Sequence, residues 1–209
     1  MPAALPIKRY NRKVVGIDLA GSPKRSTGIC TLKKDNITCC TIVHTDQEII
    51  SYVEKENPAL IAIDAPLNLP PGRKSLEDKN GEHFRPCDRE LLRRGIRFFP
   101  ITLGPMRLLT KRGIHLKRVL TRRGYPVIEV YPGAAQDIWH TGRKQEGLSN
   151  LRKGLEKLGL KGLNNKMNGD ELDAVTAALV GQLFLRGKSE VLGNFKRGAI
   201  VIPYTKEMA

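Results

Sequence analysis

The sequence predicts an α/β domain, a mixed sheet flanked by helices. Three observations carry that prediction. The short apolar runs Val14-Val15-Gly16-Ile17 and Ala59-Leu60-Ile61-Ala62-Ile63 have the length and composition of strands covered on both faces. The turn Lys33-Lys34-Asp35-Asn36 has hairpin chemistry and joins two more strand-like runs. Helical patterns then alternate with strand patterns along the rest of the chain.

The first strand ends in a carboxylate, Asp18, before the Gly21-Ser22-Pro23 break. Thr27 to Leu32 and Ile37 to Val43 form the hairpin. Asp46 to Glu56 fits an amphipathic helix, with Ile49, Ile50 and Val53 on one side and Pro58 as its stop. The fourth strand ends in Asp64 and can lie parallel to the first. Pro66, Pro70, Pro71 and Gly72 then open a polar stretch that contains a short basic helix over Cys87 to Arg97. Residues 66–104 therefore read as an insertion within one domain spanning 1–209. Met106 to Arg123 is helical with Gly113 as a break point, and Pro126 to Tyr131 is a strand closed by Pro132-Gly133. Helical stretches follow near Ala134–Trp139 and Leu148–Leu158, then over Asp170 to Arg186, and Ala199 to Ile202 forms a last strand.

A chain of 209 residues suits one domain of about 150 residues with additions. With 40% hydrophobic and 27% charged residues it can bury a core, which excludes collagen-like and largely disordered classes. The longest uncharged stretch, Ala174 to Leu185, has 12 residues, short of the ~20 that span a bilayer. Lys8, Arg9, Arg12 and Lys13 interrupt any apolar leader. A cytoplasmic protein without membrane partners is expected. Cys30, Cys39, Cys40 and Cys87 lack zinc-like spacing and read as reduced thiols.

The formal charge is +15, and it is uneven. Arg85 to Arg123 holds twelve Lys or Arg against two acids, Asp88 and Glu90. Such a block matches phosphate backbones or acidic partners, and it nearly lacks local acids for ion pairing. Lys24, Arg25, Arg85, Arg89, Arg93, Arg94, Arg97, Arg107, Lys111 and Arg112 are the candidate nucleic-acid contacts. Lys24 and Arg25 follow the first strand directly. His83, Trp139 and Tyr131 read as a solvated loop residue and two core aromatics.

Asp18, Asp64 and Glu129 lie in or at the ends of apolar strands, where an unpaired charge costs on the order of several kcal/mol. Parallel neighbouring strands would bring Asp18 and Asp64 to one sheet edge, where open α/β sheets place their sites. Asp173 shares a helix face with Asp170, one turn earlier. Asp170 itself reads first as the helix cap and second as a further ligand. Clustered carboxylates call for a hard cation, Mg²⁺ or Mn²⁺, and a pair of such ions can drive phosphodiester cleavage.

Val14-Val15-Gly16-Ile17-Asp18, Ile63-Asp64-Ala65-Pro66, Arg85-Pro86-Cys87-Asp88, Glu129-Val130-Tyr131-Pro132 and Asp170-Glu171-Leu172-Asp173-Ala174 resemble domain-of-unknown-function family 429, regarded as predicted nucleases of the RNase H-like fold. The resemblance runs from Lys13 to Pro203. It implies an RNase H-like mixed sheet with a basic insertion after the fourth strand. It also implies Asp18 as central metal ligand, Asp64 as second, Glu129 as third and Asp173 as closing ligand, with two ions bound alongside substrate. A metal-dependent nuclease is the leading reading, because only the retained acids favour an enzyme. A non-catalytic nucleic-acid-binding module is the alternative. A nucleotide phosphotransferase of the actin and hexokinase group comes third, on the Gly-x-Asp strand end and the turn Leu19-Ala20-Gly21-Ser22.

Overall fold

A computed structural model describes residues 13–204, so the first 12 and last 5 residues of the expected 1–209 domain lie outside the description. Strands β1 (Lys13–Asp18), β2 (Thr27–Lys33) and β3 (Asn36–Val43) form an antiparallel meander. Lys34, at φ 55°, makes the left-handed corner of the two-residue hairpin turn. Helix α1 (Asp46–Glu56) starts at Thr45, whose side chain accepts from the Glu48 N–H while Glu48 reaches back to Thr45. Strand β4 (Leu60–Asp64) returns parallel to β1, and β5 (Val127–Glu129) adds parallel to β4. The sheet order is β3-β2-β1-β4-β5.

Between β4 and β5 run α2 (Pro86–Arg93) and α3 (Gly104–Arg122). Gly113 does not break α3; it lets the helix pack on the turn after β4, where a Cβ would stand 2.9 Å from Ala65 Cβ and from Pro66 O. After β5 come α4 (Pro132–Trp139), a 3-10 turn at Lys144–Glu146, α5 (Leu148–Lys157) and α6 (Gly169–Leu185). The last strand expected from sequence is β7 (Gly198–Pro203), but it pairs with β6 (Ser189–Asn194) in a separate hairpin. One bridge, Val130 to Val201, links that hairpin to the chain just after β5. No helix among the described residues is long and apolar enough to cross a membrane.

Strand alternation sorts the core into two layers. Val14, Leu60, Ala62, Ile128 and Val130 face α4, α5 and α6. Val15, Ile17, Ile61, Ile63 and Val127 face α1 and α3. A third cluster gathers Cys87 and Leu91 of α2 with Leu192, Ile200 and Ile202 of the β6–β7 hairpin.

The closest packing lies between α6 and the sheet. A Cβ at Gly16 would overlap the Ala174 carbonyl, and one at Gly28 would overlap the Asp170 carbonyl. Both glycines exist because helix backbone touches strand backbone there. Asn168 caps α6 in a box with Glu171, so the cap is Asn168, whereas Asp170 sits inside the first turn. Gly28→Ala is expected to lower the unfolding free energy by about 3 kcal/mol, because the clash is with backbone. Gly104→Ala, with open space around the added methyl, should change it by less than about 0.5 kcal/mol. Urea unfolding of both variants checks the contrast.

Candidate functional site

Asp18 and Asp64 are register partners at the ends of the parallel pair β1 and β4. Both belong to the alternation that faces α6, as do Val14, Gly16, Leu60 and Ala62. The two-glycine contact lowers the first turn of α6 onto that corner and delivers Asp170 and Asp173 to it. Sequence reading missed what joins them. Lys144 Nζ lies 3.2 Å from Asp18 Oδ2, 3.1 Å from Asp170 Oδ1 and 2.9 Å from Asp173 Oδ2. Ser26 Oγ donates to Asp170 Oδ2 at 2.5 Å, and Gln136 Nε2 donates to Asp173 Oδ1 at 2.6 Å. Asp64 has no hydrogen-bond or ion-pair partner among the described residues.

The electrostatics follow from that crowding. Burial, then the charge of Asp173, push the Asp18 carboxyl up to about 7 against the pull of Lys144. Burial, then Asp18 and Asp173, hold Asp64 well above the usual carboxylate range. Burial lowers Lys144, but Asp18 and Asp173 outweigh it and hold the ammonium above the ordinary lysine range.

Glu129 makes no contact with Lys144, contrary to the expectation from sequence, although it lines one cavity with Asp64. It pairs with Ile63, one residue short of Asp64, so alternation assigns it to the opposite face with Ile61 and Val127. Its two oxygens are spent on Arg85. Arg85 Nη2 donates to Glu129 Oε1 and Nη1 to Oε2, each at 2.7 Å, and the Leu67 N–H donates to Oε2 at 2.8 Å. Arg85 is 1% exposed and also grips Asp88, at 2.7 Å from Nη2 and 3.0 Å from Nε. Burial raises the Glu129 carboxyl, and Arg85 pulls against it. Arg85, expected to meet nucleic acid, is thus the counter-ion of a buried triad.

The family model described as "Protein of unknown function (DUF429)" matches residues 16–196. The chain belongs to the DUF429 family. No curated protein matches it. Among solved structures it is similar to T. thermophilus RuvC in complex with a Holliday junction substrate, at 14% identity and TM-score 0.50, over 82% of this chain and 94% of that one. A second structure, of Thermus thermophilus RuvC, aligns at 14% identity and TM-score 0.47 over 84% of this chain and 96% of that one. The likeness to the first of these shows the fold, which is RNase H-like.

In this DUF429 chain the basic block is not the free stripe its local sequence suggests. Acids from outside the block reach it: Glu82 pairs with Arg89, Glu77 with Arg107, Glu190 with Arg94 and Glu54 with Arg123. Arg93 pairs with Glu90 inside it. Arg112, another expected contact, is buried and donates to Asp46 Oδ1, the Ala20 carbonyl and the His44 carbonyl at 2.6–2.7 Å. It is a structural tie between α3 and the β1 end. Exposed pairs such as Arg93–Glu90 are worth ~0–1 kcal/mol and can exchange for phosphate. Arg97, Lys111, Arg118 and Arg122 are exposed and in no ion pair among the described residues. Lys111, Arg118 and Arg122 repeat at helical spacing along α3.

A cleft of about 630 Å³ opens at the carboxylates, lined by Asp18, Asp170 and Lys144 with Arg25 and Ser26. Lys24 is exposed beside it in sequence. A second cavity of about 170 Å³ is bordered by Asp64 and by Glu129 with Arg85, between Phe98, Phe99 and Tyr131. Tyr131 donates to the Arg97 carbonyl, Trp139 packs on the main core, and His83 is held by Thr102 at 2.9 Å.

Arg85→Met is expected to cost about 3–5 kcal/mol, because it strands Glu129 and Asp88 without a cation. In that variant the Glu129 carboxyl moves further above its unfolded value. The folded state then holds a proton that the unfolded chain releases, so stability falls as pH rises through the carboxylate range. Denaturation at pH 4.5 and pH 7.5 (on the order of three pH units apart) should show a smaller deficit at the acid end.

Proposed function

We propose that this protein is a metal-dependent nuclease that hydrolyses nucleic-acid phosphodiester bonds at Asp18, Asp64, Asp170 and Asp173. The observation that carries the reading is the gathering of four acids from two strand ends and one helix turn, three of them around a cation. The donor set fits Mg²⁺ or Mn²⁺: all donors are hard oxygens, and Asp64 has no hydrogen-bond or ion-pair partner among the described residues. Among the described residues no three His, Cys, Asp or Glu side chains are spaced to hold an ion as they stand. The ammonium of Lys144 stands between three of them. Glu129 is left out of the ligand set, since both its oxygens are engaged.

Two divalent ions bound there would supply an activated water and neutralise charge on the leaving oxygen. The chain's own residues do the rest. Gly16 and Gly28 hold α6 at the strand ends, while Ser26 and Gln136 orient Asp170 and Asp173. Arg25, in the same cleft, and Lys24 meet the phosphate, while the unpaired cations of α3 bind backbone farther along. The likeness to a RuvC structure holding a Holliday junction supports including a four-way junction among the substrates.

Asp18→Asn is expected to reduce Mg²⁺- or Mn²⁺-dependent cleavage by roughly a thousandfold while nucleic-acid binding persists. Asn keeps the shape and removes the charge. The assay compares single-stranded, duplex and four-way-junction DNA and RNA; equal cleavage by variant and wild type would remove Asp18 from the mechanism. No metal-dependent cleavage by either form points instead to a binding module. On the binding surface, Lys111→Glu with Arg118→Glu should weaken affinity alike across sequences. It should also reduce the slope of log K against log salt by about 2, one for each phosphate that is no longer neutralised.

A further inference from the structure

We infer that Lys144 is an exchangeable counter-ion of the carboxylate group, so that its ammonium and a divalent cation occupy the space between Asp18, Asp170 and Asp173 in alternation. The inference rests on the metal-site reading above and adds a residue and a step to it.

Several observations converge on exchange. The ammonium touches one oxygen from each of three acids, at 2.9–3.2 Å, where a hard cation would also take its ligands. Two of those acids keep their other oxygen tied to a neutral donor, Asp170 to Ser26 and Asp173 to Gln136. Those ties remain when the ammonium leaves, so the ligands stay aimed. Asp64 makes no such pair and adds a fourth oxygen donor beside Asp18.

Lys144 is also built to leave. It sits on a single 3-10 turn, outside the sheet and the long helices. Gly142 (φ 74°) and Gly147 (φ 121°) bracket that turn in backbone conformations that glycine adopts without strain. The bond closing the turn, Gly147 N–H to the Lys144 carbonyl, is long at 3.4 Å. The lysine stem rests on Gly169, where a Cβ would come within 2.9 Å of Lys144 Cδ, so the seat is a contact of an aliphatic chain with bare backbone. The side chain is 31% exposed and opens into the cleft that Arg25 also lines. Arg85 supplies the contrast within the molecule. It is 1% exposed, bidentate to Glu129 and paired again with Asp88, so it has no route out. A lysine ammonium is a point charge on a flexible stem, suited to exchange, whereas a guanidinium fork is locked by its planar geometry.

Exchange has two consequences. Without metal, Lys144 offsets the repulsion of the three acids. With metal, the freed ammonium stays in the cleft, where an anion can take it.

The test uses Mn²⁺ alone, without nucleic acid. Calorimetric titration should show Mn²⁺ binding to Lys144→Met with an apparent Kd roughly tenfold or more below that of wild type, because the competing occupant is gone. In wild type, reaction of Lys144 with an amine-acylating reagent, mapped by mass spectrometry, should rise severalfold at saturating Mn²⁺. Unchanged or weaker Mn²⁺ binding by a folded Lys144→Met protein overturns the exchange, as does Lys144 labelling that stays flat on saturation. If the variant does not fold, the labelling of wild type decides alone. Wild type that binds no Mn²⁺ overturns the metal-site reading itself, whereas binding without a lysine response overturns only the exchange.

Discussion

The seating of α6 on β1 and β2 is the contact on which the site depends. Helix backbone reaches strand backbone because Gly16 and Gly28 lack a Cβ, and the added atoms would fall on the Ala174 and Asp170 carbonyls. Farther along, Gly181 of the helix makes room for the side chains of Val14 and Ala62. With α6 buried on nearly every side, its apolar residues fill the layer between the sheet and α5. The same contact fixes where the helix begins relative to the strand ends. Asn168 and Glu171 close the N-terminus, and Asp170 and Asp173 emerge from the first turns beside Asp18, around the same Lys144 ammonium. Negative charge in a first turn also favours the helix dipole, typically by ~0.3–1 kcal/mol.

Buried acids on the two faces of the sheet are neutralised by different means. Towards α6, four carboxylates crowd around one lysine, and the pKa of Asp18 stays high because burial disfavours its charge and one cation does not cancel the charge of its neighbours. On the other face, one arginine serves Glu129 and Asp88 through paired bonds, and the turn after β4 is tied in by the Leu67 N–H. The first arrangement leaves charge unsatisfied at an open cleft, which is where chemistry is possible. The second is closed and holds α2 against the sheet. An excess of anions over cations thus marks the candidate site, and a balanced count marks the scaffold.

The surface charge follows a similar division. Arginines of the basic block that find acids from elsewhere in the chain knit α2 and α3 to the loop around Glu77–Glu82, to β6 and to α1. Lys111, Arg118 and Arg122, which pair with no acid among the described residues, project from α3 as an exposed row. Net charge alone does not tell the two kinds apart, since both contribute equally to +15.

Much of the framework was legible in the sequence because it is local. Apolar runs of strand length, hairpin chemistry at Lys33–Asn36 and acids at strand ends led to the β1–β4 pair and to Asp18 beside Asp64. What the sequence could not decide depended on register or on partners distant along the chain. Glu129 looked like Asp64, an acid ending an apolar strand, yet a one-residue offset in pairing turns it to the other face. Arg85 and Arg112 looked like surface cations until Glu129 and Asp46 were brought to them. Lys144 carried no signal in a loop between α4 and α5. Its role follows only from three acids contributed by β1 and α6. Hydrophobic period and turn chemistry are properties of neighbouring residues and can be read in order; charge pairing is a property of distance in space, and only the tertiary structure sets that.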